Sequence, residues 1–300
     1  MTALDVVDVH VHYLGPRWRP QVAVASARSG RSRINDLTDV LESARDVAVR
    51  VLNAPPALAR SADEPLLPST IAQVNDHLGE VVAAHRDRLA GLATVDLWQG
   101  DDAVSEIERV AGLGLSGIVV DAAADGGERL LDDPVVLEPL DAARDLGVPV
   151  FVHPIFPQGL TGLLDPLGRP GVLLARGTIT AASLVALLVE ADRRGTRLPT
   201  IITPSLAASA ISTAAFARVD ASRLHFDTMG FHPGTIAYLV SEVGADRVLV
   251  GSDSPIVADD LGADHVLDTL TAAGLDAEQV AAVAGGNARR VLGLPARELV

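Results

Sequence analysis

Short apolar runs alternate with longer amphipathic stretches along the whole chain. The apolar runs are rich in β-branched residues and only four to eight residues long, which is typical of strands buried on both faces of a parallel sheet. They predict eight strands: Val6–His12, Val47–Leu52, Leu89–Asp96, Ser116–Asp121, Val148–His153, Thr200–Thr203, Leu224–Thr228 and Val248–Asp253.

Between these strands, apolar residues recur at every third or fourth position, as on one face of a helix. This spacing predicts eight helical segments: Leu37–Arg45, Thr70–Arg88, Asp102–Ala111, Val135–Leu146, Ala181–Arg194, Gly234–Val243, Ala263–Ala273 and Ala277–Leu292. Eight strand–helix alternations in 300 residues are typical of a (β/α)8 TIM barrel of the α/β class. An open, doubly wound parallel sheet is the alternative fold.

The alternation continues through residues 1–300, so we expect a single barrel domain. Two segments lack the pattern, 14–33 and 154–177. Both follow a strand, and the loops that follow barrel strands lie at the active face. We therefore expect these two segments to be lids or walls of a pocket.

Composition narrows the class of protein. Hydrophobic residues make up 48% of the chain and the mean hydropathy is +0.30, which favours a large buried core over disorder. No apolar run reaches the ~18 residues of a membrane span, and the start has no signal-peptide pattern. A soluble cytoplasmic protein is expected. The net charge of −15 repels nucleic acid.

The chain contains neither cysteine nor lysine. Without cysteine it has no disulfide, no thiolate metal ligand and no cysteine nucleophile. Without lysine it has no Schiff-base chemistry and no phosphate-binding P-loop. The chemistry therefore has to come from histidine, carboxylates and arginine.

The first predicted strand carries two histidines near its carboxyl end. In a regular strand Asp8, His10 and His12 share one face, and the other face holds Val7, Val9 and Val11. We expect the valines to face the helices and the polar residues to line the barrel. Two imidazoles so placed can bind one metal ion. The alternative is a pair of hydrogen-bonded histidines in a wet barrel mouth.

Two other strands end in potential ligands. His153 ends the fifth strand and Asp253 ends the eighth. Three imidazoles and one carboxylate from three strands form a coherent site for a divalent ion that keeps an open position.

This combination and its chain order resemble the amidohydrolase superfamily. The match is to its amidohydrolase-related branch, which includes aminocarboxymuconate-semialdehyde decarboxylase and the resorcylate-type decarboxylases. The stretches that carry the resemblance are 75–78 (NDHL), 85–89 (HRDRL), 149–154 (PVFVHP), 244–253 (GADRVLVGSD) and 286–294 (GNARRVLGL).

The resemblance implies an enzyme with one divalent metal, zinc in the first place and manganese in the second, held by His10, His12, His153 and Asp253. It implies non-oxidative decarboxylation of a small unsaturated or aromatic carboxylic acid. Metal-dependent hydrolysis of an amide, lactone or similar group, with Asp253 as the proton acceptor, is the alternative. An atypical or non-catalytic barrel is a third reading.

One departure from the family pattern concerns strand six. Members of this branch usually carry a catalytic histidine there, whereas residues 201–208 read IITPSLAA. An acid–base group contributes roughly 10²–10⁴-fold to a rate. The nearest spare imidazole is His232, just after the seventh strand, and we expect it to act as the replacement; the alternative is a surface histidine.

Three arginines and a tryptophan of the two long segments are candidates for substrate binding: Arg17, Trp18, Arg19 and Arg176. A guanidinium can hold a carboxylate through two hydrogen bonds, and an indole can pack on a planar substrate or fix the loop to the barrel. The expected partner is a small-molecule carboxylate, with no nucleic acid and no membrane. A homodimer is compatible with the sequence.

Overall fold

Eight parallel strands form one sheet in which each strand pairs with the next along the chain. In the computed structural model, which describes residues 4–18, 32–44, 46–60, 66–257 and 261–296, the strands are β1 Val7–His12, β2 Val49–Asn53, β3 Leu89–Thr94, β4 Gly117–Asp121, β5 Val150–His153, β6 Ile201–Thr203, β7 Leu224–Asp227 and β8 Val248–Leu249. Backbone hydrogen bonds from Val9 N to Val250 O (2.9 Å) and from His12 N to Ser254 O (2.8 Å) join β1 to the chain at β8. The predicted (β/α)8 barrel is confirmed.

Helices alternate with the strands along the chain. They are α1 Leu37–Glu42, α2 Pro56–Ala59, α3 Pro68–Ala84, α4 Asp101–Val110, α5 Pro134–Asp145, α6 Gln158–Leu164, α7 Arg169–Arg194, α8 Ser209–Ala217, α9 Pro233–Val243, α10 Ala263–Ala272, α11 Ala277–Ala281 and α12 Asn287–Leu292. Proline lies at the first or second position of five of them, α2, α3, α5, α7 and α9. Its fixed φ angle suits a helix start, where its missing N–H costs no hydrogen bond.

Helix α7 begins twelve residues before Ala181, the predicted start of this helix. As a result α6 and α7 occupy most of the segment 154–177, which was expected to be a loop. Small residues allow this helix to approach the barrel closely: a Cβ on Gly177 would lie 2.5 Å from the carbonyl oxygen of Leu206. By length and composition alone α7 could cross a membrane. Its buried residues, which include Leu184, Leu187 and Leu188, pack in the main hydrophobic core, as expected of a barrel helix.

Two layers of apolar side chains hold the barrel together. One cluster has members from seven of the eight strands, and only the barrel interior can be reached by so many strands. Its strand members are Val7, Val9, Val51, Ala90, Leu92, Val119, Phe151, Ile202 and Leu249. The larger cluster combines the other strand face with the helices, as Val152 does with Leu184.

Strand β1 breaks the expected alternation. Its pairing with β2 shifts between Asp8 and Val11, so one extra residue is accommodated there. As a result Val7 and Val9 face the barrel interior, while Val11 packs on the α3 side. The expectation that all three valines face the helices is wrong for Val7 and Val9. A one-residue shift turns every later side chain to the opposite face.

Candidate metal centre

His10, His12, His153 and Asp253 converge at the carboxyl end of the barrel. One ligand atom from each lies within 4.8 Å of the ligand atoms of the others, and all four side chains are buried. Oδ1 of Asp253 lies 2.8 Å from Nε2 of His12 and 3.3 Å from Nε2 of His10. The shift in β1 makes this possible, because it places the His10 ring against Phe151 of the interior, with 4.8 Å between ring centroids.

The turn that carries Asp253 is held by the first strand. Asp253 has a φ of 55°, in the left-handed region that Asp tolerates better than most residues. Beside it, the hydroxyl of Ser252 donates to Oδ2 of Asp8 (2.7 Å) and its backbone N–H donates to Oδ1 (3.0 Å). Asp8 therefore positions the turn and does not belong to the converging group.

Asp227, the last residue of β7, orients the ring of His10. Its Oδ2 lies 2.8 Å from Nδ1 of His10, and its Oδ1 accepts backbone N–H groups of Ser205 (3.1 Å) and Met229 (2.9 Å). Because the carboxylate accepts, Nδ1 of His10 donates this hydrogen bond and Nε2 faces the other three residues. Metal-binding histidines are commonly oriented in this way.

The donor atoms fit a metal cation. Among the described residues, His10 Nε2 and both ring nitrogens of His153 are buried without a hydrogen-bond partner. An ion among the four side chains would satisfy His10 Nε2 and one nitrogen of His153. Burial lowers the pKa of His12, and burial together with the neighbouring imidazoles lowers the pKa of His153 well below its usual value. Both rings are therefore neutral and able to bind metal.

The carboxylate of the group is ionised. Burial opposes the charge on Asp253, but His10 and His12 outweigh burial and lower its pKa. Three imidazoles and one carboxylate match the ligand set of a mononuclear site for a divalent ion. It is the one such group among the residues that the structure describes.

Exchanging Asp227 for asparagine tests how much the orientation of the His10 ring contributes to metal affinity. The amide oxygen can keep the two backbone N–H groups, so the amide NH2 would face Nδ1 of His10. The ring proton then moves to Nε2, which is the wrong tautomer for metal binding. We expect Asp227→Asn to lower metal affinity by ~10–100-fold, measured by competition with a chelator. Asp220→Asn, exposed just before the same strand, is the control; equal affinities for both variants would contradict the assignment.

A cavity of about 380 Å³ opens beside the four residues. Its walls come from the segments that follow several strands, as expected for the active face of a barrel. The charged and polar side chains of its wall are His12, Arg60, Asp121, Asp125, His153, Gln158 and Arg176. Apolar groups, which include Leu58, Ile155 and Ile256, form the rest. This is a suitable volume and lining for a small organic molecule.

Arg176 on α7 presents an incompletely bonded guanidinium to this cavity. Its Nη2 donates to the carbonyl oxygen of Pro154 (3.1 Å), and the group stacks over the ring of Phe156 at 4.6 Å. Its Nε is buried without a hydrogen-bond partner among the described residues. Burial lowers the pKa of Arg176, but a guanidinium stays charged. An anion in the cavity would supply the missing acceptor.

A family model described as amidohydrolase matches residues 7–294, which is nearly the whole chain. The chain belongs to the amidohydrolase family.

The similar proteins of this amidohydrolase include several decarboxylases. A 2-amino-3-carboxymuconate-6-semialdehyde decarboxylase from Dictyostelium discoideum is 31% identical over 111 residues, which cover 36% of this chain and 30% of that protein. The crystal structure of 2,6-dihydroxybenzoate decarboxylase from Rhizobium matches with a TM-score of 0.76 and 20% identity, covering 97% of this chain and 99% of that one. A dihydroxybenzoic acid decarboxylase from Polaromonas, with bound manganese and 2-nitroresorcinol, matches with a TM-score of 0.73 and 20% identity over 98% of both chains.

Arg17 and Trp18 in the first long segment of this amidohydrolase do not line the described cavity. Arg17 is exposed. Trp18 packs on the ring of His77 in α3, at 5.5 Å between centroids, and so fixes the segment to the barrel. Arg19 lies outside the described residues. Of the four predicted substrate-binding residues, Arg176 alone is placed in the wall of the described cavity.

His232 is placed where a proton-transfer group is not expected. It caps the amino end of α9, exposed to solvent, where its Nδ1 accepts the backbone N–H of Thr235 at 3.2 Å. It does not line the described cavity. The physical reason is local: a side chain just before a helix satisfies the free N–H groups of the first turn. This placement corrects the expectation that His232 replaces the histidine missing from strand six.

Three candidate functional residues were not predicted from the sequence, and each is the last residue of a strand. They are Asp227, which orients His10; Asp121, which lines the cavity; and Asn53 of β2, whose buried amide has no partner among the described residues. The signal was present, because each is the polar last residue of an apolar run. In a barrel the last residue of every strand points toward the active face.

Proposed function

We propose that this protein is a metal-dependent decarboxylase of a small unsaturated or aromatic carboxylic acid. The observation that carries the proposal is the buried group of three imidazoles and one carboxylate that opens into a cavity with an unsatisfied guanidinium. Support also comes from the similar proteins, which include decarboxylases of 2,6-dihydroxybenzoate and 5-carboxyvanillate.

His10, His12, His153 and Asp253 would hold the metal, one ion per chain. When bound, the ion supplies a Lewis acid that polarises and orients an oxygen of the substrate. Zinc is our first assignment because three imidazoles and a carboxylate suit it. Manganese is the second, and it is the metal bound in the Polaromonas enzyme. From the sequence alone we propose that the protein is located in the cytoplasm and that it assembles as a homodimer.

The chain's own groups would position the substrate. Arg176 would bind a substrate carboxylate through its free Nε–H and one Nη–H, since a guanidinium matches a carboxylate in geometry and charge. The apolar wall formed by Leu58, Ile155 and Ile256 would contact a flat carbon skeleton and exclude water. Asp227 would keep the His10 ring fixed throughout.

Hydrolysis of an amide, lactone or similar group is the second candidate. The observation that favours it is strand six, where β6 is followed by Pro204 and Ser205 in place of a histidine. A hydrolase could use Asp253 alone as the proton acceptor. Such a reaction needs no group from strand six.

The test is a substrate panel assayed on protein loaded with zinc or manganese. The acids are 2,6-dihydroxybenzoate, 5-carboxyvanillate and 2-amino-3-carboxymuconate 6-semialdehyde, with release of carbon dioxide as the readout. An anilide and a lactone, matched in size, report hydrolysis. We expect carbon dioxide from at least one acid and no hydrolysis. Hydrolysis without carbon dioxide would overturn the decarboxylase assignment in favour of the second candidate.

A further inference from the structure

Asp121 occupies a position in the cavity that the proposed function has not used. It is the last residue of β4, and in the sheet it pairs with His153 of β5. Its side chain lines the cavity and is 4% exposed. A carboxyl group thus stands next to the candidate metal centre without belonging to the four converging residues.

The carboxyl of Asp121 is only partly satisfied by the protein. Among the described residues its one hydrogen bond comes from the backbone N–H of Ala57, which donates to Oδ1 at 3.2 Å. No described guanidinium forms an ion pair with it. Oδ2 therefore remains free for a molecule in the cavity, which is unusual for a carboxyl that serves only the fold.

The surroundings of Asp121 favour its protonated form. Burial is the main cause and raises its pKa to about 7. Asp96, which follows β3, raises the pKa further, whereas Arg60 after α2 and Arg176 on α7 lower it. A carboxyl that titrates near the working pH is suited to acid–base catalysis.

The other titratable groups of the cavity have different roles. His12 and His153 belong to the candidate metal centre. Arg60 and Arg176 carry guanidinium groups, which suit the binding of anions better than acid–base catalysis. Asp125 is 63% exposed in its side chain and lies 3.7 Å from Arg129, an ion-pair partner at the surface. Asp121 is thus the remaining buried carboxyl of the cavity wall.

We propose that Asp121 is a catalytic residue that gives the substrate carbon its proton, the task for which strand six supplies no group. This inference rests on the proposed decarboxylase function. The acid form of Asp121 transfers its proton to the carbon that bears the carboxylate, and the electron pair of the attacked double bond forms the new C–H bond. The C–C bond to the carboxylate then breaks, its electron pair restores the double bond, and carbon dioxide leaves. The Asp121 carboxylate takes up a proton from water, so one proton is consumed in each turnover.

The test compares Asp121→Asn with Asp121→Glu and with Asp132→Asn as the matched control, all loaded with the same metal. We expect Asp121→Asn to lower kcat by ~10²–10⁴-fold at unchanged metal content. Asp121→Glu should recover part of the loss because it restores an acid. Asp132→Asn, which removes an equal charge from an exposed position outside the cavity wall, should stay close to wild type. Full activity in Asp121→Asn would overturn the proposal, and so would loss of its metal.

The pH profile gives a second measurement on the same proteins. Because the acid form is needed, wild-type activity should fall about tenfold for each pH unit above the pKa of Asp121. Asp121→Asn should lose this decline and keep only its low residual rate. A decline of the same size and position in Asp121→Asn would assign it to another group and overturn the proposal.

Thermal melting provides a readout that does not depend on activity. A buried carboxyl whose pKa is raised by folding stabilises the fold fully at a pH below its pKa in the unfolded chain. This stabilisation is lost as the pH rises through its pKa in the folded protein. Asp121→Asn should therefore melt above wild type, and its advantage should be larger at pH 8 than at pH 5 by about 2–4 °C. A variant that melts below wild type at both pH values would make Asp121 a structural residue and contradict the proposal.

Failure of the proposed function can be told apart from failure of this inference. A wild type that hydrolyses the anilide or the lactone and releases no carbon dioxide overturns the decarboxylase assignment and the carbon protonation with it. A wild type that releases carbon dioxide, together with a fully active Asp121→Asn, leaves the function in place and removes Asp121 from it.

Discussion

His153→Ala is expected to remove metal and activity together while leaving the metal-free barrel folded. His153 contributes a ring whose nitrogens have no hydrogen-bond partner among the described residues, so its truncation leaves no protein group unpaired. Water from the adjoining cavity can fill the space. The loss of an ion that supplies several kcal/mol to the transition state predicts a fall in kcat/KM of at least ~10³-fold.

Three measurements check this expectation: metal content by elemental analysis, decarboxylation rate, and the melting temperature of the metal-free protein. His265→Ala, an exposed histidine of α10, is the control and should match wild type in all three. If metal-free His153→Ala is insoluble or loses its cooperative melting, His153 serves the fold and the assignment to the metal centre is wrong. His10→Ala is a less specific test of metal binding than His153→Ala, because it also leaves Oδ2 of Asp227 without its hydrogen-bond partner.

Arg176→Gln is expected to weaken substrate binding with little change in metal content. The buried Nε–H and the cation over Phe156 make this guanidinium a preformed site for a carboxylate. A hydrogen bond to a charged group contributes ~1.5–3 kcal/mol, so kcat/KM should fall by roughly 10–150-fold, mainly through KM. Steady-state kinetics on the acid that releases carbon dioxide gives both parameters.

Two further variants separate charge from geometry at this position. Arg176→Lys keeps the positive charge but cannot form two parallel hydrogen bonds, so it should recover only part of the loss. Arg169→Ala, exposed at the first turn of the same helix, should leave kcat/KM unchanged. An Arg176→Gln variant with wild-type KM would show that the substrate carboxylate binds elsewhere.

The barrel could be predicted from sequence because its physical signal is repeated along the chain. Each buried parallel strand has to be apolar on both faces, and each covering helix has to carry one apolar stripe. The convergence of four side chains could be predicted as well, because strands that close into a barrel bring their carboxyl ends to one rim. These side chains are His10, His12, His153 and Asp253.

The local geometry of β1 could not be predicted in the same way. A strict alternation places Asp8 with the two histidines, but the register shift between Asp8 and Val11 separates them. A bulge depends on how two strands pair, and a single strand's pattern does not contain that information. The result is that Asp8 supports Ser252 while the two rings face the interior.

The sequence favoured His232 as the proton-transfer group because it follows the strand next to strand six. His232 follows β7 closely, yet it caps α9 at the surface. Asp121 comes from β4, far from strand six along the chain, and the closed sheet brings it to the cavity beside His153. Burial rather than residue type raises the pKa of its carboxyl to about 7.

The central claim, a single metal ion held at the carboxyl end of the barrel, is tested most directly by anomalous diffraction from crystals grown with zinc or manganese. One peak per chain should appear, with nitrogen atoms of His10, His12 and His153 and an oxygen of Asp253 at ~2.0–2.2 Å. A metal-saturated crystal with no peak among these four side chains, or with a peak that His153 does not contact, would contradict the account.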